Sequence, residues 1–317
     1  MIESISIVIP SYNESANINE VYKRTTEVIK KLNIKKYELI FVENGSKDNS
    51  LELLKKINSE NQSIKIISLS RNFGYQSAIA VGLKYSQNDY VCVMDGDLQD
   101  PPEIIMDFIK KIAEGYDVVY GIRIKRKANF IKKIFYNLFY EIYSKLSEID
   151  VPKKAGDFCL MNKKVVKNII NLNEKNLFMR GLRSWVGFKQ TGIEYKRDGR
   201  HAGKTNFSFF SATALALDGF VSFSLIPLRF ILIIGIIISL LSFLFFLFLF
   251  SVKLLHVFGV FELTTLLMPK GLTLANSILT LFLGLVMFTL GIIGEYVGRI
   301  YFEVKNRPNY IINETIL

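Results

Sequence analysis

Two kinds of apolar pattern divide the chain. Over residues 1–200, short runs of β-branched residues alternate with longer stretches whose apolar positions fall at helical spacing. Ile5-Ser6-Ile7-Val8-Ile9 reads as a strand that ends at Pro10, and residues 17–32 read as a helix, with Ile18, Val21, Thr25, Val28, Ile29 and Leu32 on one face. A second strand over 38–42 stops at Glu43-Asn44-Gly45-Ser46, and Asp48 or Ser50 is placed to cap the helix that follows. A third strand over 64–69, a helix from about Gln76 to Tyr85 and a strand over 90–94 continue the alternation. Strands alternating with helices predict an α/β fold, a doubly wound and mostly parallel sheet. In such a sheet the ligand lies beyond the carboxyl ends of the strands.

The second pattern is uniform. Residues 230–252 and 271–294 contain no charged side chain. About 20 apolar residues cross a bilayer as a helix, so each run predicts one span of a two-helix hairpin. Basic residues flank the hairpin at Arg229, Arg299, Lys305 and Arg307, against only Lys253 and Lys270 between the runs. That bias places the N-terminal part in the cytoplasm, on a multi-pass protein of the inner membrane. Residues 1–10 lack the basic start of a signal peptide. Residues 207–225 read as an interfacial helix. The predicted divisions are a cytoplasmic soluble domain over 1–204, a juxtamembrane helix over 205–228, the hairpin over 229–298 and a cytoplasmic tail over 299–317. Gly291, Gly294 and Gly298 form a small-residue face suited to helix packing within a chain or in a homo-oligomer.

Composition narrows the chemistry. Two cysteines, Cys92 and Cys159, exclude a disulfide framework and read as buried thiols, and two histidines leave little for a His-based metal cluster. The net charge of +11 calls for an anionic partner. The basic residues gather near the apolar runs and no nucleic-acid module is visible, so the predicted partner is a lipid bilayer and a phosphate, not nucleic acid.

The strongest chemical signal is Asp95-Gly96-Asp97-Leu98-Gln99-Asp100-Pro101-Pro102, directly after the strand Val91-Cys92-Val93-Met94. In an extended chain, residues two apart face the same way, so Asp95, Asp97 and Gln99 converge. Two carboxylates and an amide oxygen are hard donors, suited to Mg²⁺ or Mn²⁺ with positions left open for a diphosphate. The plainer alternative is an acidic turn that stops a strand.

Four segments together carry a resemblance: residues 6–14 (SIVIPSYNE), 42–48 (VENGSKD), 70–74 (SRNFG) and 95–102 (DGDLQDPP). They resemble the GT-A glycosyltransferases of family 2, and more narrowly the branch that loads sugars onto polyprenyl (dolichol-type) phosphates. Gly156-Asp157-Phe158-Cys159-Leu160-Met161, Phe178-Met179-Arg180-Gly181, Trp185-Val186-Gly187-Phe188 and Leu217-Asp218-Gly219-Phe220 are similar to that branch as well. The resemblance implies a nucleotide pocket lined by Pro10, Tyr12, Glu14, Glu43, Arg71 and Asp95, with Asn44 where an Asp is common. It implies a metal held by Asp95, Asp97 and Gln99, catalytic roles for Asp97 and Asp157, and inversion at the anomeric centre. For Asp157 the alternative is an N-cap of a helix over 163–170. Arg123, Lys132 and Lys133, in a basic and aromatic stretch, are the implied ligands of the lipid phosphate. Arg200 and Lys204 are the implied lid over the diphosphate, Asn206 standing where Lys is usual.

The predicted activity is transfer of a hexose from a nucleotide sugar, UDP-glucose first, to a polyprenyl phosphate. The alternatives are another donor (GDP-mannose, UDP-galactose or a UDP-N-acetylhexosamine) or a non-catalytic scaffold with this fold. A processive polysaccharide synthase is disfavoured, because Arg183-Ser184-Trp185 lacks the Gln-x-x-Arg-Trp pattern and two spans make no polymer channel.

Overall fold

The computed structural model describes residues 2–124, 155–199 apart from 173 and 176, scattered helical positions between 233 and 251, and 272–317. The chain divides into two compact units, one of Met1–Phe223 with Asn306–Leu317 and one of Ser224–Lys305.

The first unit is built on an eight-stranded sheet. Its strands are β1 (Ser4–Ser11), β2 (Lys36–Glu43), β3 (Ile64–Leu69), β4 (Tyr90–Val93), β5 (Val118–Ile124), β6 (Ala155–Asn162), β7 (Gln190–Lys196) and β8 (Ile312–Ile316). They lie in the order β7-β5-β6-β4-β1-β2-β3-β8. The central strands β3, β2, β1 and β4 are parallel. β6 enters antiparallel to β4 and to β5, while β7 runs parallel to β5 and β8 antiparallel to β3. The sheet is thus mixed and mostly parallel, as the GT-A resemblance implies.

Helices cover both faces, which is why the central strands read as continuous apolar runs. Every residue of β1 is buried. Val8 joins Ile40, Val42 and Ile67 on one face; Ile5, Ile7 and Ile9 join Leu39, Phe41 and Ile66 on the other. The first face is covered by α3 (Tyr75–Tyr85), α5 (Lys163–Asn171) and α6 (Met179–Trp185), the second by α1 (Ser15–Lys31), α2 (Ser50–Glu60) and α4 (Ile105–Ala113). α3 packs so closely that a Cβ on Gly82 would sit 2.1 Å from Val8 Cγ1.

Two local expectations resolve. Asn49 stands at the cap of α2 without a side-chain cap bond. Asp48 does that work from one residue further out, accepting from the Ser50 N–H at 3.1 Å and, across the loop, from the Ser15 N–H at 3.1 Å. The cap of α5 is Asn162, whose Oδ1 accepts the Val165 N–H at 2.9 Å, which leaves Asp157 free of a capping role.

Among the described residues, one helix is long and apolar enough to cross a membrane: α7 (Leu272–Lys305), through its segment Phe282–Lys305. Its large apolar side chains, among them Leu283, Met287, Phe288 and Ile300, are exposed. Most of the first apolar run, the interfacial stretch 207–225 and the candidates Lys132, Lys133, Arg200 and Lys204 lie outside the described residues. The tail beyond α7 does not stay a tail: it returns as β8 on the β3 edge, with Lys55 Nζ 2.7 Å from Glu314 Oε1 and the Ser70 N–H donating to the Ile311 carbonyl at 2.9 Å.

Candidate active site

Because β1 to β4 are parallel, the segments after them meet at one edge of the sheet. The turn after β1 is stapled to the loop after β2. Asn13, at φ +54°, donates its N–H to Ser46 Oγ at 3.0 Å and accepts the Lys47 N–H at 2.8 Å, and the Glu14 N–H donates to Ser50 Oγ at 3.1 Å. Tyr12 and Glu14 are half-buried on this turn, while Pro10 is enclosed in β1 opposite Val42. Glu43 is buried, and its carboxylate already accepts from the Ser46 N–H and, at 2.9 Å, from the Ser68 hydroxyl. The carboxylate thus ties the loop after β2 to β3.

Asn44 carries a bridge that a carboxylate has no donors to make. Its Nδ2 donates to Asn72 Oδ1 at 3.2 Å and to the Gly74 carbonyl at 3.1 Å, while its Oδ1 accepts the Phe73 N–H at 2.9 Å. Gly45, at φ +67°, passes under the next loop, where a Cβ would lie 2.5 Å from the Arg71 carbonyl carbon. Arg71 is exposed and stacks on Phe73, 4.1 Å from the ring centroid.

After β4, exposure alternates: Asp95, Asp97 and Gln99 are half-buried, while Met94, Gly96, Leu98 and Asp100 are buried. The backbone is not extended throughout, since it turns here with Leu98 at φ +60°. Asp97 Oδ1 accepts the Gln99 N–H at 3.1 Å. Asp95 accepts from the Tyr75 hydroxyl and sits 3.5 Å from both Arg123 Nη2 and Arg197 Nη2. Behind it, fully buried Asp100 accepts from the Tyr195 hydroxyl, with Arg123 Nη2 at 3.1 Å and Arg197 Nε at 3.5 Å. Burial, then Asp100 and more weakly Asp97, push the Asp95 carboxyl up to about 7, against the opposing pull of Tyr75 and Arg123.

Arg123 is where the sequence-based placement shifts most. It lies on β5, which extends four residues past Tyr120, and its guanidinium is ion-paired with Asp95 and Asp100 instead of standing in a free basic run. Tyr75, Asp100, Tyr195 and Arg197 complete this cluster without having been singled out; Asp100 closing the DGDLQD run was their one local signal.

Asp157 reaches the same edge because β6 is antiparallel to β4. Val93 pairs with Cys159, so Asp95 and Asp157 each lie two residues beyond that pair. Asp157 is buried, and Arg180 Nη2 is 2.8 Å from its Oδ2. The segment after β4 therefore carries Asp95, Asp97 and Gln99, the start of β6 carries Asp157 and the strand β5 carries Arg123, with Pro10 and Glu43 at the ends of β1 and β2 and Tyr12, Glu14 and Arg71 in the segments that follow β1 and β3.

The donor set fits a hard divalent cation shared with a diphosphate. Asp95 and Asp97 are half-buried carboxylates two residues apart, hard donors of the kind such an ion takes. Among the described residues, no group of three or more His, Cys, Asp or Glu side chains forms a self-contained cage, so the remaining positions fall to Gln99, ligand oxygens and water.

A mixed, mostly parallel α/β sheet with an Asp-x-Asp at the end of β4 is the arrangement that the GT-A resemblance implies. Residues 6–170 match the model of Glycosyl transferase family 2, and the chain belongs to that family. It is 45% identical over 311 residues, 98% of this chain and 93% of the relative, to the uncharacterized glycosyltransferase YkcC of Bacillus subtilis. It is 37% identical over 316 residues, 98% of each chain, to the SfII prophage-derived bactoprenol glucosyl transferase of Shigella flexneri. Among solved structures, the mannosyltransferase PcManGT of Pyrobaculum calidifontis aligns with a TM-score of 0.49 at 14% identity, over 70% of this chain and 64% of that one.

Proposed function

We propose that this glycosyltransferase moves glucose from UDP-glucose to a polyprenyl phosphate at the cytoplasmic face of the membrane, with α7 as one span of a two-helix anchor. The observation that carries this reading is the 37% identity, end to end, with a bactoprenol glucosyl transferase. The apolar helix α7 and the strand-end carboxylates agree with it.

The acceptor sets what the protein must supply. A phosphate monoester has a second pKa near about 6 and is mostly dianionic at neutral pH, so it attacks without a strong base. An oxygen of that phosphate donates a lone pair to form a bond to the anomeric carbon while the bond from that carbon to the nucleoside diphosphate breaks, the departing diphosphate oxygen keeping the electron pair. The turn 12–14 and the loop at Arg71 hold the nucleotide. Asp95, Asp97 and Gln99 would hold a divalent ion, Mg²⁺ or Mn²⁺, which would supply Lewis-acid neutralisation of the diphosphate charge. Arg123 and Arg197, beside Asp95, add fixed positive charge near that group. Asp157 faces the acceptor and orients it. Lys132 and Lys133 contribute to lipid-phosphate binding, and Arg200 and Lys204 close over the diphosphate.

The test is a donor panel with undecaprenyl phosphate and Mg²⁺ or Mn²⁺, scored for glycolipid. UDP-glucose is expected to give the product, and chelation to abolish it. Product from GDP-mannose, UDP-galactose or a UDP-N-acetylhexosamine in place of UDP-glucose overturns the donor; no product from any donor overturns the activity.

A further inference from the structure

Two side chains beside Asp157 have no part in the reading above. Arg180, the second residue of α6, reaches Asp157 with both arms of its guanidinium: Nε is 3.3 Å from Oδ1 and Nη2 is 2.8 Å from Oδ2. Gln76, the second residue of α3, donates its Nε2 to the same Oδ2 at 3.4 Å and accepts the Met179 N–H on its Oε1 at 2.8 Å. Gln76 thus ties the start of α6 to the carboxylate that α6 itself grips. Its neighbour Tyr75 donates to Asp95. Consecutive residues at the start of α3 therefore hold the donor-side and the acceptor-side carboxylates.

A forked contact fixes the plane of a carboxylate as well as its charge, which a single ammonium does not do. We propose that Arg180 is a positioning residue, its fork holding Asp157 ionised and aimed at the acceptor phosphate, with Gln76 as the strut that sets this pair against the Asp95 cluster. The inference rests on Asp157 being the acceptor-side group. Burial pushes the Asp157 carboxyl up, but Arg180, then Arg183 and Arg123, more than offset this and hold it below the usual carboxylate range. Tyr75 on α3 and Cys159 along β6 are the other titratable groups that feel this charge. A carboxylate paired in this way is a poor proton acceptor. Its part is orientation, which suits a phosphate that is already an anion.

The test uses the full-length protein in detergent or lipid discs, with UDP-glucose, undecaprenyl phosphate and Mg²⁺ or Mn²⁺. Arg180→Ala is expected to lower kcat by about 10- to 100-fold, with KM for the donor changed by less than about twofold. Arg180→Lys is expected to recover part of kcat, since it restores the charge without the fork. In the Asp157→Asn background, Arg180→Ala is expected to cost nothing further, because the two side chains act as one unit. Gln76→Leu, which leaves the ion pair in place, is expected to lower kcat by a smaller factor and covers the case in which Arg180→Ala does not fold. An unchanged kcat in Arg180→Ala, an effect confined to either KM, or full multiplicative losses in the double variant would overturn the inference. Full activity of Asp157→Asn is a separate result: it would overturn the acceptor-side reading of Asp157 on which the inference stands.

Discussion

At the scale of single residues, Asp97 is the cleanest test of the site. It is half-buried, and its recorded bond is a local one to the Gln99 N–H, so the fold leans on it little. Asp97→Ala is expected to abolish turnover while the thermal unfolding midpoint stays within about 2 °C of the parent, consistent with a surface change of under about 0.5 kcal/mol. Asn44 is the opposite case. Asn44→Ala removes three hydrogen bonds and leaves the Phe73 N–H without its acceptor, so a loss of about 1–3 kcal/mol is expected in denaturant unfolding, together with a raised KM for the donor. The pattern legible from sequence was local: Asp95, Asp97 and Gln99 are half-buried between buried neighbours. Arg123 was read with its basic neighbours in sequence, whereas its ion-pair partners Asp95 and Asp100 come from another strand end. Arg180 carried no local sign of its role, since nothing near it in sequence points to Asp157.

At the scale of elements, the parallel core followed directly from its buried apolar runs, but direction did not. β6 is as apolar as its neighbours and reads the same whichever way it runs, so the antiparallel entry that delivers Asp157 had to be seen. β8 was missed for another reason. Ile312-Asn313-Glu314-Thr315-Ile316 alternates weakly and follows a long apolar helix, where a charged tail was the simpler expectation. The junction of α1 and α2 yields a pH prediction. Burial pushes the Asp48 carboxyl up, but hydrogen bonds from Ser50 and Ser15 more than offset this and hold it below its ordinary value. A lowered folded pKa contributes stability above the unfolded value of about 3.9, and that contribution is lost as pH falls through the folded value. Asp48→Asn is therefore expected to melt earlier than the parent at pH 7, the gap closing as both are titrated from about pH 5 to pH 3.

At the scale of the whole molecule, a sheet domain and an exposed apolar helix occur in one chain, and the last strand of the sheet, β8, comes from the residues that follow that helix. Deleting residues 312–317 bares the β3 edge and removes the Lys55–Glu314 pair. The partly exposed pair contributes little; the uncovered edge matters more, since it presents unpaired backbone groups to other chains. The truncated protein is expected to aggregate faster by light scattering and to unfold at a lower temperature than the parent.

The order of synthesis gives that last strand a further meaning. Everything from β1 to β7 leaves the ribosome before α7, and β8 follows it. A nascent chain therefore carries an unfinished sheet, with one side still adhesive, through the whole interval in which its greasy helix seeks a lipid environment. Completion of the catalytic body comes after that helix has been made, so a chain stalled at this stage is left with a sticky border that chaperones and proteases can recognise.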